Sequence, residues 1–102
     1  ISAMAEASDL AVAPHNPLGP ISLAACLQLD ACTLNAVAQE QVTLGDGYLV
    51  KPFEMQNGYI DLPTEPGLGI ELDEEKVRAL EYDGHWETPR VIDQRDGSVA
   101  EW

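Results

Sequence analysis

With 102 residues the chain is long enough for one small domain. Its 18 acidic side chains face only 5 Lys and Arg, a net charge of −13, which excludes the basic footprint of nucleic-acid binding and attraction to an anionic membrane surface. No apolar run reaches the length of a membrane span and no secretory leader pattern opens the chain, so a soluble, cytoplasmic protein is expected. The opening residues, Ile1-Ser2-Ala3-Met4, lack an initiator methionine, which predicts a processed chain or part of a longer one. Lysine is confined to Lys51 and Lys76, and dense acidity with scarce lysine suits high salt, where self-repulsion is screened. Cys26 and Cys32 lie in an apolar stretch without the close pairing or further ligands of a zinc site. Two buried free thiols are expected.

In chain order, Ile1, Met4 and Ala5 at helical spacing predict the tail of a helix over 1–8. Leu10 to Ala13 is a short apolar run stopped by Pro14, which suits a buried strand. Three prolines and a glycine between Pro14 and Pro20 exclude regular structure there. Helix resumes at Ile21, with Pro20 in its first turn and Leu23, Ala24, Cys26 and Leu27 as an apolar face. Asn35 closes the connection, and Ala36-Val37-Ala38 begins a second buried strand that ends at Gln39-Glu40-Gln41.

Helix, strand, loop, helix, strand within about forty residues is the grammar of a parallel α/β protein. His15 follows the first strand and Glu40 the second. In parallel barrels and open sheets chemistry gathers at the carboxyl ends of strands. A lone His there is more often structural and a lone Glu solvated, but the two on neighbouring strands make a candidate site.

Beyond residue 42 the pattern changes. Tyr48 to Glu54 and Tyr59 to Leu62 flank Gln56-Asn57-Gly58, a hairpin signal. Gly67-Leu68-Gly69 lacks the third glycine of a phosphate loop and is followed by acidic residues, so no phosphate site is expected. Asp73 predicts an N-cap for a short helix through Leu80, with Glu74 and Glu75 matched to its dipole. The tail, with Pro89 and Asp96-Gly97, reads as irregular, and His85 and Trp86 as surface or packing residues.

Several runs carry a resemblance. Ala3-Met4-Ala5-Glu6-Ala7 and Ala13-Pro14-His15-Asn16-Pro17-Leu18-Gly19-Pro20-Ile21 resemble the end of the barrel in sugar-acid dehydratases of the enolase superfamily, mandelate racemase subgroup, most of all the galactonate dehydratases. Ala24-Ala25-Cys26-Leu27-Gln28, Gln39-Glu40-Gln41, Pro66-Gly67-Leu68-Gly69-Ile70-Glu71, Asp73 to Val77 and Asp96 to Trp102 extend the similarity over nearly the whole chain.

The resemblance implies an α/β fold, the C-terminal portion of a modified TIM barrel, (β/α)7β, with a segment packing beside a capping domain. Residues 1–42 would supply the end of helix 6, strand 7, helix 7 and strand 8. Residues 43–102 would supply the hairpin, short helix and tail. It further implies a Mg2+-dependent hydro-lyase whose metal ligands and second acid/base histidine lie upstream of this chain, so the chain alone would be inactive. The full-length form would be a homo-oligomer acting on a small sugar acid.

In that chemistry a proton next to a carboxylate is too weakly acidic for an unassisted base, so metal and hydrogen-bond donors stabilise the charge and a histidine removes the proton. The resemblance assigns that base to His15, or else the acid that expels the 3-hydroxyl. It sets Glu40 near the substrate carboxylate, protonated so that it can donate. The product is a 2-keto-3-deoxy acid. After Gln41 this chain departs from the family, passing through Val42 to Tyr48 without a His-Tyr-Asn stretch. Gluconate, xylonate and arabinonate therefore stand beside galactonate as substrates, with a racemase or epimerase, or a truncated non-catalytic chain, as the other readings.

Overall fold

The first helix, α1 (Ser2–Glu6), stops where the backbone turns left-handed at Asp9, with φ 54°. The Leu10 N–H bonds the Ala5 carbonyl at 2.9 Å and the Asp9 N–H bonds the Glu6 carbonyl at 3.0 Å. This is a Schellman closure with aspartate in place of the usual glycine, and it launches Leu10 in extended conformation. The computed structural model describes residues 1–85, 91–92 and 96–100.

The two segments read as parallel strands do run parallel, but their pairing is a single bridge between Val12 and Ala36. Val12 donates to Asn35 O at 2.9 Å and accepts from Val37 N at 3.0 Å. Neither segment is buried: Val37 is 70% exposed and Leu10 59%. Parallel strands need both faces covered, and among the described residues each segment has one strand neighbour. Asn35 fastens the crossover, donating through Nδ2 to Leu10 O at 2.7 Å.

Between them runs α2 (Pro20–Asp30). Gly19 precedes it in extended conformation, and Pro20 sits at the first position, where its missing N–H costs nothing. Pro20, Leu23, Ala24 and Leu27 form its buried face. Past Asp30, Thr33 Oγ1 and Cys32 Sγ both donate to the Leu29 carbonyl, at 2.8 and 3.1 Å, and end the helix well before Asn35. Both thiols are free as expected, but Cys26 is only half-buried and Cys32 exposed, because Cys32 lies past the helix end.

The later segment folds back on α2 at a turn around Gly45, which is buried beside Pro20 and Leu49. Leu23, Ala24, Leu27 and Leu49 are the buried apolar core. Gln28 Nε2 donates to Pro63 O at 3.1 Å, a second tie from α2 to this segment. The hairpin forms at Asn57-Gly58, narrower than the flanking runs suggest: β1 (Met55–Gln56) pairs antiparallel with β2 (Tyr59–Ile60). Asn57 and Gly58 have φ of 53° and 83°, the left-handed pair that a two-residue hairpin turn demands. Leu49 bridges antiparallel to Leu72.

Asp73 caps α3 (Glu74–Ala79), its Oδ1 accepting the Lys76 N–H at 3.1 Å. The tail is less irregular than expected, since β3 (Val91–Ile92) pairs antiparallel with β4 (Val99–Ala100). Asp96-Gly97 lies between apolar pairs, which is a hairpin signal. His85 is exposed, and its N–H bonds Asp83 Oδ1 at 2.9 Å; Trp86 and Pro89 lie outside the described residues. Among the described residues no helix is long and apolar enough to cross a membrane.

The surface of the chain is large for its mass. It exposes 8380 Å² where a compact 11.0 kDa monomer would expose about 5,600 Å². The radius of gyration is 17.6 Å, against roughly 13 Å for a compact domain of this length. Among the described residues four buried apolar side chains make a small core, and Ile1, Met4, Leu34 and Tyr59 are each more than three-quarters exposed.

Candidate functional site

The site grows out of an interrupted ladder. A parallel ladder continuing past the Val12–Ala36 bridge would have residue 14 donate to Val37 O and accept from Gln39 N. Residue 14 is proline and has no N–H to give. The Gln39 side chain takes over, its Nε2 donating to Pro14 O at 3.2 Å and to Glu40 O at 2.7 Å. Two residues on, the Asn16 N–H donates to the carboxylate Oε2 of Glu40 at 2.6 Å, and Asn16 Nδ2 to the Glu40 carbonyl at 3.3 Å. Asn16 and Glu40 keep the 24-residue offset of Val12 and Ala36, so polar side chains carry the register where the backbone cannot.

His15 and Glu40 meet as a result. His15 Nδ1 lies 2.6 Å from Glu40 Oε2, with the two side chains 79% and 43% exposed. With a carboxylate as partner, Nδ1 carries the proton and donates, which leaves Nε2 free to accept one. The Asn16 main-chain N–H does most to hold the Glu40 carboxyl below the ordinary carboxylate range. Partial desolvation opposes it, and the His15 imidazole adds to the lowering. The direction of this shift favours the ionised form, whereas the resemblance implies a protonated donor near the substrate.

Asn16 and Gln39 were passed over in the sequence. Among the described residues Asn16, 1% exposed, is the buried polar one, and its Oδ1 finds no partner among them. The signal available was local: each is an amide beside a candidate residue, and one of them shares a loop with Pro14. His15 and Glu40 lie on an open surface of the chain and line no enclosed pocket among the described residues. Among the described residues no group of three or more His, Cys, Asp or Glu could hold a metal ion.

Residues 1–76 match the family described as enolase C-terminal domain-like, and the chain belongs to that family, with its α/β enolase-superfamily fold. Within it, the chain is similar to the D-galactonate dehydratases. It is 47% identical to that of Cronobacter sakazakii over 114 residues and 48% identical to that of Variovorax paradoxus over 113. In both, all of this chain aligns, and it spans 29% of the relative's length.

Solved structures agree. A protein from Burkholderia SAR-1 assigned to the mandelate racemase/muconate lactonizing enzymes superposes with a TM-score of 0.75 at 36% identity, over 97% of this chain and 27% of its own. An enolase from Agrobacterium radiobacter, solved with sodium and L-malate, gives 0.73 at 29% identity, over 96% of this chain and 29% of its own.

Proposed function

We propose that this chain is the carboxy-terminal part of a sugar-acid dehydratase, with His15 as the acid/base group at C2 of an aldonate and Glu40 as the carboxylate that orients it. The 2.6 Å contact between His15 Nδ1 and Glu40 Oε2 carries the reading. It supports a fixed tautomer with Nε2 turned to the reacting proton, the arrangement a general base needs. Identity of 46–48% to D-galactonate dehydratases supports the substrate class.

In this reaction the C2–H bond breaks as Nε2 takes the proton, and the electron pair becomes the C2=C3 double bond. The C3–O bond breaks, and the hydroxyl leaves as water with a proton from a second acid outside this chain. The enol then tautomerises to a 2-keto-3-deoxy acid. Glu40, ionised, stabilises the imidazolium formed when His15 is protonated. Magnesium belongs to the same proposal, lowering the barrier by neutralising the substrate carboxylate when bound. The described residues do not supply its donor set, and by family resemblance the ligands would lie outside this chain.

Residues 1–42 would be the closing end of a (β/α)7β barrel, a role supported by the parallel bridge across a helical crossover. Residues 43–102 would pack beside barrel and capping domain. A homo-oligomer working in the cytoplasm completes the picture by family resemblance.

The test is an assay of the complete protein, with magnesium, against galactonate, gluconate, xylonate and arabinonate. A 2-keto acid is expected from at least one. Inversion at C2 without a keto acid would instead identify a racemase or epimerase, and no reaction with any of them would overturn the dehydratase reading.

A further inference from the structure

We infer that Gln39 is a positioning residue for His15, its side-chain amide standing in for the ladder hydrogen bonds that Pro14 withholds; this rests on the reading of His15 as the acid/base group given above. Among the described residues, the last main-chain bond between the two strand-like segments runs from Val37 N to Val12 O, at 3.0 Å. His15 lies further along, about 10 Å on in extended chain, beyond the hold of that bond. Gln39 Nε2 spans the gap, donating one hydrogen to Pro14 O at 3.2 Å and the other to Glu40 O at 2.7 Å. Pro14 O belongs to the planar peptide group that carries the His15 nitrogen, so its bond fixes the plane from which the His15 side chain departs. The reverse orientation of the amide would set Oε1 against two carbonyl oxygens. Oε1 is instead buried without a partner among the described residues, so the two donors decide how the amide lies. Both acceptors are main-chain carbonyls, and the tie is therefore independent of the charge on the Glu40 carboxyl.

The complete protein is compared with Gln39→Met, which keeps the length and loses the donors, and with Gln39→Glu, which keeps the shape and sets oxygen against oxygen. Pro14→Ala, alone and combined with Gln39→Met, returns a main-chain N–H to the ladder, so that residue 14 can donate to Val37 O and accept from Gln39 N. Labelling proline with 13C at the carbonyl and histidine with 15N picks out Pro-His pairs by NMR, and the Pro14–His15 pair is the one that disappears in Pro14→Ala. In wild type its carbonyl carbon should show a hydrogen-bonded shift, which moves upfield in Gln39→Met and Gln39→Glu. With magnesium and the aldonate that the protein dehydrates, kcat should fall by about tenfold to 10²-fold in both, with KM within about twofold. The double variant should return to within about threefold of Pro14→Ala alone.

A wild-type carbonyl shift and kcat in Gln39→Met would overturn the inference. So would a moved carbonyl signal with kcat unchanged, or a rise in KM alone, which would mark a substrate contact. A double variant no better than Gln39→Met would overturn it in favour of a structural residue, as would loss of folding in both Gln39 variants. If Gln39→Glu alone does not fold, Gln39→Met decides. A moved carbonyl signal in a protein that dehydrates no aldonate would keep Gln39 as the residue that holds His15 in place and remove only the dehydratase reading.

Discussion

Oε2 of Glu40 accepts two hydrogen bonds at 2.6 Å, one from the main chain of Asn16 and one from the imidazole of His15, two neighbours on the opposite strand end. One oxygen thus couples the register of the chain to the orientation of the proposed base. The coupling has a direction. The main-chain donor fixes the carboxylate, and the carboxylate in turn fixes the histidine, which is 79% exposed and has little else to hold it.

The pH dependence follows from the lowered titration of Glu40. A carboxylate whose folded pKa is depressed contributes stability that is present above its unfolded value and is lost as pH falls through the folded one. The contact with His15 should therefore survive acidification past the ordinary carboxyl value of 4.5 and be lost only as pH falls through the lowered value of the folded chain. A 13C titration of the Glu40 carboxyl is expected to show a midpoint under 4.5, and a midpoint at or above that value would mean the two donors do not act on it.

Gly45 is a position where the backbone demands glycine. Its φ is 98°, and an added Cβ would lie 2.6 Å from Leu49 Cδ1 and 3.2 Å from Pro20 Cβ. Leu49 is 1% exposed and cannot swing aside. Gly45→Ala should cost roughly 2–4 kcal/mol from backbone strain and overpacking together. Gly47→Ala, with φ 81° and open space around it, should cost only about 1 kcal/mol. Denaturant melts of the two variants in the complete protein check the contrast, and equal losses would refute it.

The small core and the exposed apolar side chains predict the behaviour of the 102-residue chain expressed alone. It should associate or melt broadly, with a transition that depends on concentration. Sedimentation and thermal melts over a hundredfold range of concentration measure this. A sharp, concentration-independent transition of a monomer would contradict it.

A net charge of −13 predicts a response to salt. Self-repulsion among acidic side chains is screened as ionic strength rises, so the melting temperature of the complete protein should climb between low and molar salt. No change would show that the acidity of this chain is balanced elsewhere.

Much of this was legible in the residues. The alternation around Pro14 to Pro20 gave the crossover, Asn57-Gly58 the hairpin and Asp73 the helix cap, because each rests on local backbone chemistry that a few residues decide. His15 and Glu40 were found by their places after two strand-like runs. The role of Asn16 and Gln39 was not legible. It depends on a 24-residue register and on Pro14 withholding one N–H from a ladder, and neither is visible until the two segments are side by side. The expected burial of both strands failed for a related reason: apolar runs report what a complete sheet would cover, and among the described residues each segment has one strand neighbour. The two donors that face the Glu40 carboxyl likewise come from across that ladder and were not legible.

The most direct measurement is C2 proton exchange in deuterated solvent, set beside dehydration, for the complete protein with magnesium and its His15→Asn variant. His15 projects from the chain surface, so the substitution should barely alter the melting temperature. Asparagine removes the titratable nitrogen, and dehydration should fall by at least about 10²-fold. With His15 as the base, exchange at C2 should vanish together with dehydration. Exchange that persists while dehydration stops would make His15 the acid that expels the hydroxyl, and dehydration near the wild-type rate would make it a structural residue.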